Sequence, residues 1–394
     1  MSNESTKPQI MIVAAEASSA YYALKLMKHW KDQNIDLDIS GVGSQAMEDF
    51  GMRRFGKSED MAVVGIAEVI AHYSELKAVF EKLVEEAIRI KPKFLLLMDY
   101  PDFNLKLAKT LKQKLGPHGI KVFYYISPQV WAWRKGRIHD IKKVCDKVFL
   151  LFPFEQKFYD QYQVPYEFVG HPLLEDLDPN LLDLKQQELA RQKYGISPNE
   201  KVLALMPGSR KSEIQLNFGV QLEVARALAK KYNFIRIMIF VAPTLTKDYI
   251  RDFIDENSAD VKMPYILIQD DPNRMIALAH YILATSGTAT LMVGLLQKPM
   301  VIMYRLKWLT GVIGKILVRG IKYFGLVNLI MNEEVVPERL QSEATSENII
   351  PLLEKFINDE AYTQETIKKL AQVQYQLGDV GATARVGGAL AKHL

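Results

Sequence analysis

Cysteine is almost absent from this chain of 394 residues, in which Cys145 is the only one. A single thiol excludes a disulfide framework, and it is consistent with a reducing compartment such as the cytoplasm. The seven histidines show no paired spacing of the kind that binds zinc. The sequence therefore predicts neither a disulfide-stapled domain nor a metal site.

Long hydrophobic runs are missing as well. No stretch of about 18 apolar residues without a charge occurs, and the polar start Met1–Pro8 lacks the apolar region of a secretory signal. We therefore expect no transmembrane helix and no signal peptide. The net charge is only +4, so overall charge gives no reason to expect nucleic acid as a partner.

Short apolar runs alternate with helical segments along the whole chain, which predicts an α/β fold. Several runs are apolar throughout, as is typical of parallel strands covered on both faces. The predicted strands are Ile10–Ala14, Leu37–Ser40, Phe94–Met98, Val122–Ile126, Val148–Phe152, Val202–Met206, Ile235–Val241, Tyr265–Gln269, Tyr281–Thr285 and Met300–Tyr304.

A polar stretch that contains Pro179 and Pro198 divides these strands into two sets. We predict an N-terminal domain over 1–172, a linker over 173–199, a C-terminal domain over 200–345 and helices over 346–394. Each domain is expected to be doubly wound and Rossmann-like, with a crevice between the two and ligands at the carboxyl ends of the strands.

Two small-residue turns follow strands in the second half: Pro207-Gly-Ser-Arg210 and Ser286-Gly-Thr-Ala-Thr290. A helix that begins at such a turn presents backbone N–H groups and a positive dipole end, which suit a phosphate, and arginine binds phosphate in a bidentate way. The pair predicts a pyrophosphate clamp for a nucleotide-linked substrate. The alternative for each is an ordinary strand–helix turn, capped by Ser209, Ser286 or Thr288.

Two carboxylates follow the most apolar strand of the first half. Asp99 is the candidate general base for a sugar hydroxyl, with a structural hydrogen bond as the alternative, and Asp102 is expected to cap a helix. Ser127, Trp131, Trp133 and Arg134 follow the next strand. They are interpreted as the lining of a pocket for an acyl chain or a phosphate, or else as ordinary packing with a solvated arginine.

Two weaker motifs are not assigned a site. Gly41-Val-Gly43-Ser-Gln-Ala46 resembles part of a dinucleotide fingerprint, but it follows the second strand instead of the first. Asp176-Leu-Asp178 resembles a metal-binding pair, but it lies in the predicted linker.

Residues 305–332 contain five basic side chains and no acidic one, with aromatic and aliphatic residues between them. Such a segment is typical of a surface that rests on an anionic bilayer, where each charge contributes roughly 1 kcal/mol. The alternative is a buried helix with snorkelling basic side chains. The apolar run Val63–Ile70 either assists the membrane contact or belongs to the core. The predicted membrane-contact residues are Lys307, Trp308, Lys315, Arg319 and Lys322.

These residues resemble the lipid-A-disaccharide synthase family of glycosyltransferases, which have the GT-B fold of two Rossmann-like domains facing a central crevice. Ten pieces match in order along nearly the whole chain. They are Glu16-Ala-Ser18, Met61-Ala-Val-Val-Gly-Ile-Ala-Glu-Val69, Asp99-Tyr-Pro-Asp-Phe-Asn104, Ser127-Pro-Gln-Val-Trp-Ala-Trp-Arg134, Phe152-Pro-Phe-Glu155, Phe168-Val-Gly-His-Pro172, Pro207-Gly-Ser-Arg210, Ser286-Gly-Thr-Ala-Thr290, Asn328 and Val335-Val-Pro-Glu338.

The resemblance implies an inverting hexosyltransferase of lipid A, and hence lipopolysaccharide, biosynthesis. It would join UDP-2,3-diacylglucosamine to 2,3-diacylglucosamine 1-phosphate (lipid X), release UDP and need no metal or other cofactor. Asp99 is the implied base toward the acceptor 6-hydroxyl. The residues expected to bind substrate are Glu16, Ser18, Ser127, Trp131, Arg210, Ser286, Gly287, Thr288, Thr290 and Asn328. A homodimer and a cytoplasmic location on the inner-membrane surface are implied too.

The chain departs from the family in its first loop, at Met292 and at Val327, where the usual Leu-Pro-Asn reads Leu326-Val327-Asn328. The first loop usually reads Gly-Glu-Ala-Ser-Gly-Asp, whereas Ala15, Ser19 and Ala20 stand at its two glycine positions and its aspartate position. We expect backbone strain there if the loop needs positive φ. Met292 replaces a glutamate suited to the ribose hydroxyls. These departures leave two alternatives open: an impaired member that binds lipid or regulates, or a GT-B enzyme with another UDP-sugar or acceptor, such as a UDP-sugar epimerase.

Overall fold

The computed structural model describes residues 7–61, 73–128, 130–131, 134–257, 263–306 and 322–394. The chain divides into two units, each with its own parallel sheet. The first unit comprises Met1–Glu175 and Leu377–Leu394, and the second comprises Asp176–Gln376.

The first unit alternates strands with helices. Its elements are β1 (Gln9–Ala14), α1 (Ala17–Asp32), β2 (Asp38–Gly43), α2 (Gln45–Asp49), β3 (Arg53–Lys57), α3 (Ser58–Met61), α4 (Tyr73–Ile90), β4 (Phe94–Met98), α5 (Pro101–Leu115), β5 (Lys121–Tyr125), α6 (Arg137–Val144), β6 (Lys147–Leu150), α7 (Pro153–Tyr162) and β7 (Tyr166–Phe168). The seven strands are parallel in the order β3-β2-β1-β4-β5-β6-β7.

The second unit repeats this plan with six parallel strands. Its elements are α8 (Leu184–Lys193), β8 (Lys201–Met206), α9 (Lys211–Lys231), β9 (Ile235–Phe240), α10 (Lys247–Glu256), β10 (Tyr265–Ile268), α11 (Pro272–Leu278), β11 (Tyr281–Thr285), α12 (Ala289–Leu295), β12 (Met300–Tyr304), α13 (Leu326–Met331), β13 (Glu338–Leu340), α14 (Ser346–Asn358) and α15 (Glu360–Gln376). The strand order is β10-β9-β8-β11-β12-β13.

In both sheets, successive strands of the chain are first added on one side of a central strand and then on its other side. The strand order therefore reverses between two central strands, β1 and β4 in the first sheet and β8 and β11 in the second. In the first sheet Ala14 of β1 is paired with Met98 of β4, and in the second Met206 of β8 is paired with Ala284 of β11. A switch of this kind leaves the loops after the two central strands side by side, and ligands of open α/β sheets bind there. The central strands β4 and β11 are fully buried, which agrees with their continuous apolar sequences.

All ten predicted strands are present, and the fold class is confirmed. The sequence missed three others, β3, β7 and β13, which are short strands at sheet edges. An edge strand is covered less completely than a central one, so β3 and β13 carry charged residues such as Arg53 and Glu338 and lack a long apolar run.

Gly41 lies within β2 at φ 141°, where a side chain would be strained. A Cβ at this position would lie 1.9 Å from the carbonyl oxygen of Ile12 in β1. The glycine therefore allows two strands to approach closely, which explains this part of the partial dinucleotide motif without a nicotinamide site.

The segment 173–199, predicted as a linker, contains α8 and two short 3-10 turns, Pro172–Asp176 and Pro179–Leu182. Asp178 caps the second turn, because its carboxylate accepts a hydrogen bond from the Asn180 backbone at 2.9 Å. No group of three or more potential metal ligands occurs among the residues that the structure describes.

The chain end returns to the first unit as α16 (Ala382–Ala391). Trp30 of α1 donates from Nε1 to the carbonyl of Gly387 at 3.1 Å, and the Glu175 carboxylate accepts from both the backbone and the hydroxyl of Thr383. Residues 343–394 are mostly helical, and Leu377–Leu394 belongs to the first unit, which the order of elements along the chain does not indicate.

Candidate active site

Asp99 follows β4 directly, at the switch point of the first sheet. It is half-buried and has φ 51°, and Tyr100 after it has φ 46°. The Asp99 carboxylate accepts a hydrogen bond from the Tyr100 backbone N–H at 2.9 Å. Two consecutive left-handed residues other than glycine are strained, and such strain clusters at functional sites.

Glu16 lies on the neighbouring loop, between β1 and α1. Its backbone N–H donates to Ser19 Oγ at 3.1 Å, and the Ser19 hydroxyl donates to the Glu16 carbonyl at 2.9 Å. Burial raises the pKa of Tyr100, and the charges of Glu16 and Asp102 raise it further. Glu16 and Asp99 thus lie on the loops that follow two paired central strands, β1 and β4.

The strain expected at the first loop does not occur. Within Ala15–Ala20, all of which the structure describes, no residue has a positive φ. Ser18, Ser19 and Ala20 belong to α1, and the side chains of Ser19 and Ala20 are buried. Residues with a Cβ fit here because Ser19 is helical and Ala15, which precedes the helix, has no positive φ.

Asp102 does not cap a helix. Tyr100 is the N-cap of α5, and Asp102 lies inside its first turn, where it pairs with Arg134 at 3.1 Å and also with Arg137. The prediction was wrong because α5 begins at Pro101, before Asp102, and the carboxylate of Asp102 pairs with two arginines that its local sequence does not reveal. Arg134 is accordingly held in an ion pair.

Ser127 and Trp131 lie beyond the end of β5, while Gln129, Ala132 and Trp133 lie outside the described residues. The Ser127 hydroxyl is hydrogen bonded to that of Tyr159 on α7. The Trp131 ring meets the edge of Phe154, with centroids 4.8 Å apart. Ser127 and Trp131 therefore face α7, in an aromatic region of the first unit.

Glu155 lies beneath this aromatic region, with only 2% of its surface exposed. Its carboxylate accepts a hydrogen bond from the Phe152 backbone at 3.0 Å. Burial raises the pKa of Glu155 from 4.5 to about 7, although hydrogen bonds from the Phe152 and Leu151 backbones act in the opposite direction. Nearby His171 is also buried, and desolvation lowers its pKa to about 3.

Arg210 is the N-cap of α9 in the second unit and follows β8 and Gly208. Gly208 has φ 120°, a conformation that favours glycine. The Arg210 guanidinium pairs with Glu213 at 3.3 Å. Glu213 also accepts from the backbone N–H of Ser209 at 2.8 Å, so a donor expected to face a phosphate is taken up within the loop.

Ser286-Gly-Thr-Ala-Thr290 follows β11, the strand paired with β8. Gly287 and Thr288 are exposed, and a Cβ on Gly287 would meet open space. Thr290 is buried, and its hydroxyl donates to the Gly287 carbonyl at 2.7 Å. Gly287 and Thr288 are thus accessible to a ligand, whereas the buried Thr290 stabilises the loop through its hydrogen bond to Gly287.

A polar stripe on α9 joins these loops, and it consists of Glu213, Asn217 and Gln221. Gln221 donates from Nε2 to Met206 O and to Thr285 Oγ1, each at 3.2 Å. Asn217 accepts from the Arg305 backbone at 2.7 Å. This stripe was not predicted from the sequence. The sequence feature that could have revealed it is a set of three polar residues at intervals of four, on a helix whose other core-facing positions are apolar.

Asn328 on α13 is completely buried. Its Nδ2 donates to Val336 O at 2.7 Å and to Glu338 at 2.6 Å, and its Oδ1 accepts from the backbones of Val335 and Val336. All four hydrogen-bonding positions of the amide are therefore used inside the second unit. In this arrangement Asn328 holds the segment before β13.

Met292 on α12 is 4% exposed. The position at which the family usually has a glutamate is thus part of the apolar interior in this chain.

Most of the predicted membrane segment lies outside the described residues, namely Lys307, Trp308, Lys315 and Arg319, as does the run Val63–Ile70. Lys322 is described and exposed, with its ammonium over the Tyr323 ring at 5.0 Å from the centroid. Phe324 beside it is 45% exposed. Within the described ranges, no helix combines the length and the apolar character needed to cross a membrane.

Comparison with known proteins gives a consistent result. A model of the lipid-A-disaccharide synthetase family matches residues 10–385. The chain is 37% identical to the lipid-A-disaccharide synthase of Geobacter sulfurreducens over 98% of this chain and 97% of that protein. It is 34% identical to lipid-A-disaccharide synthase 1 of Legionella pneumophila strain Philadelphia 1, over 94% and 93%.

Solved structures support the same fold at low identity. The UDP-GlcNAc 2-epimerase of Neisseria meningitidis, solved with UDP-GlcNAc, matches with a TM-score of 0.65 and 14% identity over 98% of this chain and 100% of that one. A glycosyltransferase of Rickettsia africae matches with a TM-score of 0.57 and 10% identity, over 98% of each chain. The two parallel-sheet units are therefore GT-B-like.

Proposed function

Because this chain belongs to the lipid-A-disaccharide synthase family, and is accordingly a hexosyltransferase of lipid A biosynthesis, we propose that it joins UDP-2,3-diacylglucosamine to lipid X. The products are the β-1,6-linked tetra-acyl disaccharide 1-phosphate and UDP. The observation that carries this proposal is the half-buried carboxylate of Asp99, held on a left-handed backbone at the switch point of the first sheet.

Asp99 is proposed as the general base. Its carboxylate takes the proton of the acceptor 6-hydroxyl, and the oxygen attacks the anomeric carbon of the donor. The bond between that carbon and the UDP oxygen breaks, its electron pair leaves with UDP, and the configuration inverts. General-base catalysis of this kind contributes about 10²- to 10⁴-fold to a rate. Glu16, Ser18, Ser127 and Trp131 are assigned to the acceptor side of the reaction.

Arg210 is proposed to neutralise the pyrophosphate of the leaving UDP, since a guanidinium forms strong bidentate hydrogen bonds with phosphate oxygens. Ser286, Gly287 and Thr288 form the accessible part of the neighbouring loop. Thr290 and Asn328 are also assigned to the nucleotide side, where their hydrogen bonds support the loop and the segment before β13.

The enzyme is further proposed to act in the cytoplasm, at the surface of the inner membrane. Exposed Lys322 and Phe324 flank a basic and aromatic stretch of sequence, and that composition suits an anionic bilayer. Co-sedimentation with vesicles of phosphatidylglycerol, but not with vesicles of phosphatidylcholine, is expected at low salt. Equal recovery with both would contradict membrane binding through charge.

Light scattering tests the homodimer that the family implies.

The activity is tested by mass spectrometry of a detergent reaction that contains UDP-2,3-diacylglucosamine and lipid X. The expected result is a tetra-acyl disaccharide 1-phosphate together with UDP. UDP release without disaccharide, or a C2 epimer of the donor, would replace the synthase proposal with an enzyme of another specificity. Binding of both substrates without any turnover would indicate a lipid-binding or regulatory member.

A further inference from the structure

Three left-handed residues meet at the carboxyl ends of β4 and β5: Asp99, Tyr100 and Ile126, with φ of 51°, 46° and 60°. None is glycine, and each such conformation costs roughly 1 kcal/mol or more. The Asp99 backbone N–H donates to the Ile126 carbonyl at 3.2 Å, so the strained segments support one another. A conformation of this cost persists only where surrounding contacts enforce it.

Two buried side chains enforce it at the Asp99 carbonyl. The Tyr124 hydroxyl donates to this oxygen at 2.6 Å, and Asn104 Nδ2 donates to it at 2.7 Å. Asn104 Nδ2 also donates to the Met98 carbonyl at 3.2 Å. Tyr124 on β5 and Asn104 on α5 are both completely buried, so neither is placed to touch a substrate in this structure.

The same peptide plane is held from its other side. The carbonyl of Asp99 and the N–H of Tyr100 belong to one planar peptide unit, and this N–H donates to the Asp99 carboxylate at 2.9 Å. Fixing the carbonyl therefore fixes the direction of the N–H, and the N–H in turn fixes an oxygen of the carboxylate. Hydrogen bonds linked in this way also polarise one another, which strengthens the bond to the charged group.

We propose that Tyr124 and Asn104 are positioning residues that orient the Asp99 carboxylate through the peptide bond between Asp99 and Tyr100. The proposal rests on the role of Asp99 as general base. Tyr124 and Asn104 contribute no proton to the reaction. They reduce the freedom of the base, and a misplacement of about 1 Å at a reacting group is enough to cost roughly 100-fold in rate.

The chain supplies a matched control in the next residue. Tyr125 is also on β5 and completely buried, but its side chain points to the opposite face of the sheet. Its hydroxyl has no hydrogen-bond partner among the described residues. Tyr124→Phe and Tyr125→Phe therefore remove the same atom from the same strand, and only the first removes a hydrogen bond to Asp99.

Steady-state kinetics of the full chain, with UDP-2,3-diacylglucosamine and lipid X, test the proposal. Tyr124→Phe is expected to lower kcat by roughly 10- to 100-fold, with KM for both substrates and the Kd for UDP within about twofold of wild type. Tyr125→Phe is expected to retain wild-type kcat. Asn104→Leu, which removes the second donor, is expected to act in the same direction as Tyr124→Phe.

A double variant separates positioning from a general structural effect. In an Asp99→Asn background the base is gone, so adding Tyr124→Phe is expected to leave the residual turnover unchanged. A further drop equal to that in the wild-type background would overturn the proposal. If Asp99→Asn lowers turnover by about 10²- to 10⁴-fold while Tyr124→Phe behaves like Tyr125→Phe, only the positioning proposal fails. If Asp99→Asn keeps full turnover, the assignment of the base fails and this proposal fails with it.

Discussion

Gln221 of α9 donates from Nε2 to Thr285 Oγ1 at 3.2 Å, at the end of β11, the strand next to β8. The same nitrogen donates to Met206 at the end of β8. One buried amide therefore joins the ends of the two central strands, and it fixes the spacing between the loop of Arg210 and that of Ser286. This rigid link supports the assignment of both loops to one nucleotide site.

Arg210→Ala is expected to weaken UDP binding by about 10- to 100-fold, because hydrogen bonds to charged groups contribute roughly 1.5–3 kcal/mol. Isothermal titration calorimetry with UDP measures the change. Arg251→Ala is the matched control, since Arg251 forms a similar pair with Asp248 three residues before it, on α10. Equal Kd values for the two variants would remove Arg210 from the nucleotide site.

Met292→Glu is expected to destabilise the protein by several kcal/mol without tightening UDP binding, because it places a carboxylate in an apolar interior. Met292→Leu preserves volume and polarity, and its cost is expected to stay below about 1.5 kcal/mol. Thermal unfolding with and without UDP gives both quantities. Tighter UDP binding by Met292→Glu would show instead that this position reaches the ribose.

Glu155→Gln is expected to gain stability relative to wild type as the pH rises. The folded protein holds the Glu155 proton up to about pH 7, whereas the unfolded chain releases it near 4.5. Glu155 therefore lowers stability progressively between these pH values, by up to about 3 kcal/mol. Denaturant midpoints of both proteins at pH 5 and pH 8 measure the difference. A difference that does not change with pH would contradict the raised pKa.

The fold was predictable because buried parallel strands have a simple signature. Runs such as Phe94–Met98 and Tyr281–Thr285 are apolar throughout, and their observed bounds equal the predicted ones. The edge strand Glu338–Leu340 is short and partly exposed, so the same rule cannot find it. The return of α16 to the first unit depends on contacts such as that of Trp30 with Gly387, between residues far apart in sequence.

The candidate site was predictable only in its outward features. Small residues and charges after strands indicated Asp99 and Arg210, because chemistry at the ends of parallel strands needs those residue types. The supporting contacts were not visible in the sequence. Tyr124 looks like an ordinary strand residue until the register of β4 and β5 places it beneath Asp99. Likewise, Asp102 looked like a helix cap because its arginine partners are more than 30 residues away.

The central claim is that Asp99 is the base of a lipid-A-disaccharide synthase. The most direct test is disaccharide formation by Asp99→Asn, measured by mass spectrometry beside its UDP affinity. Asp102→Asn serves as the control on an exposed carboxylate three residues away. We predict that Asp99→Asn lowers turnover by about 10²- to 10⁴-fold with an unchanged Kd for UDP, while Asp102→Asn stays active. Full turnover by Asp99→Asn would contradict the account.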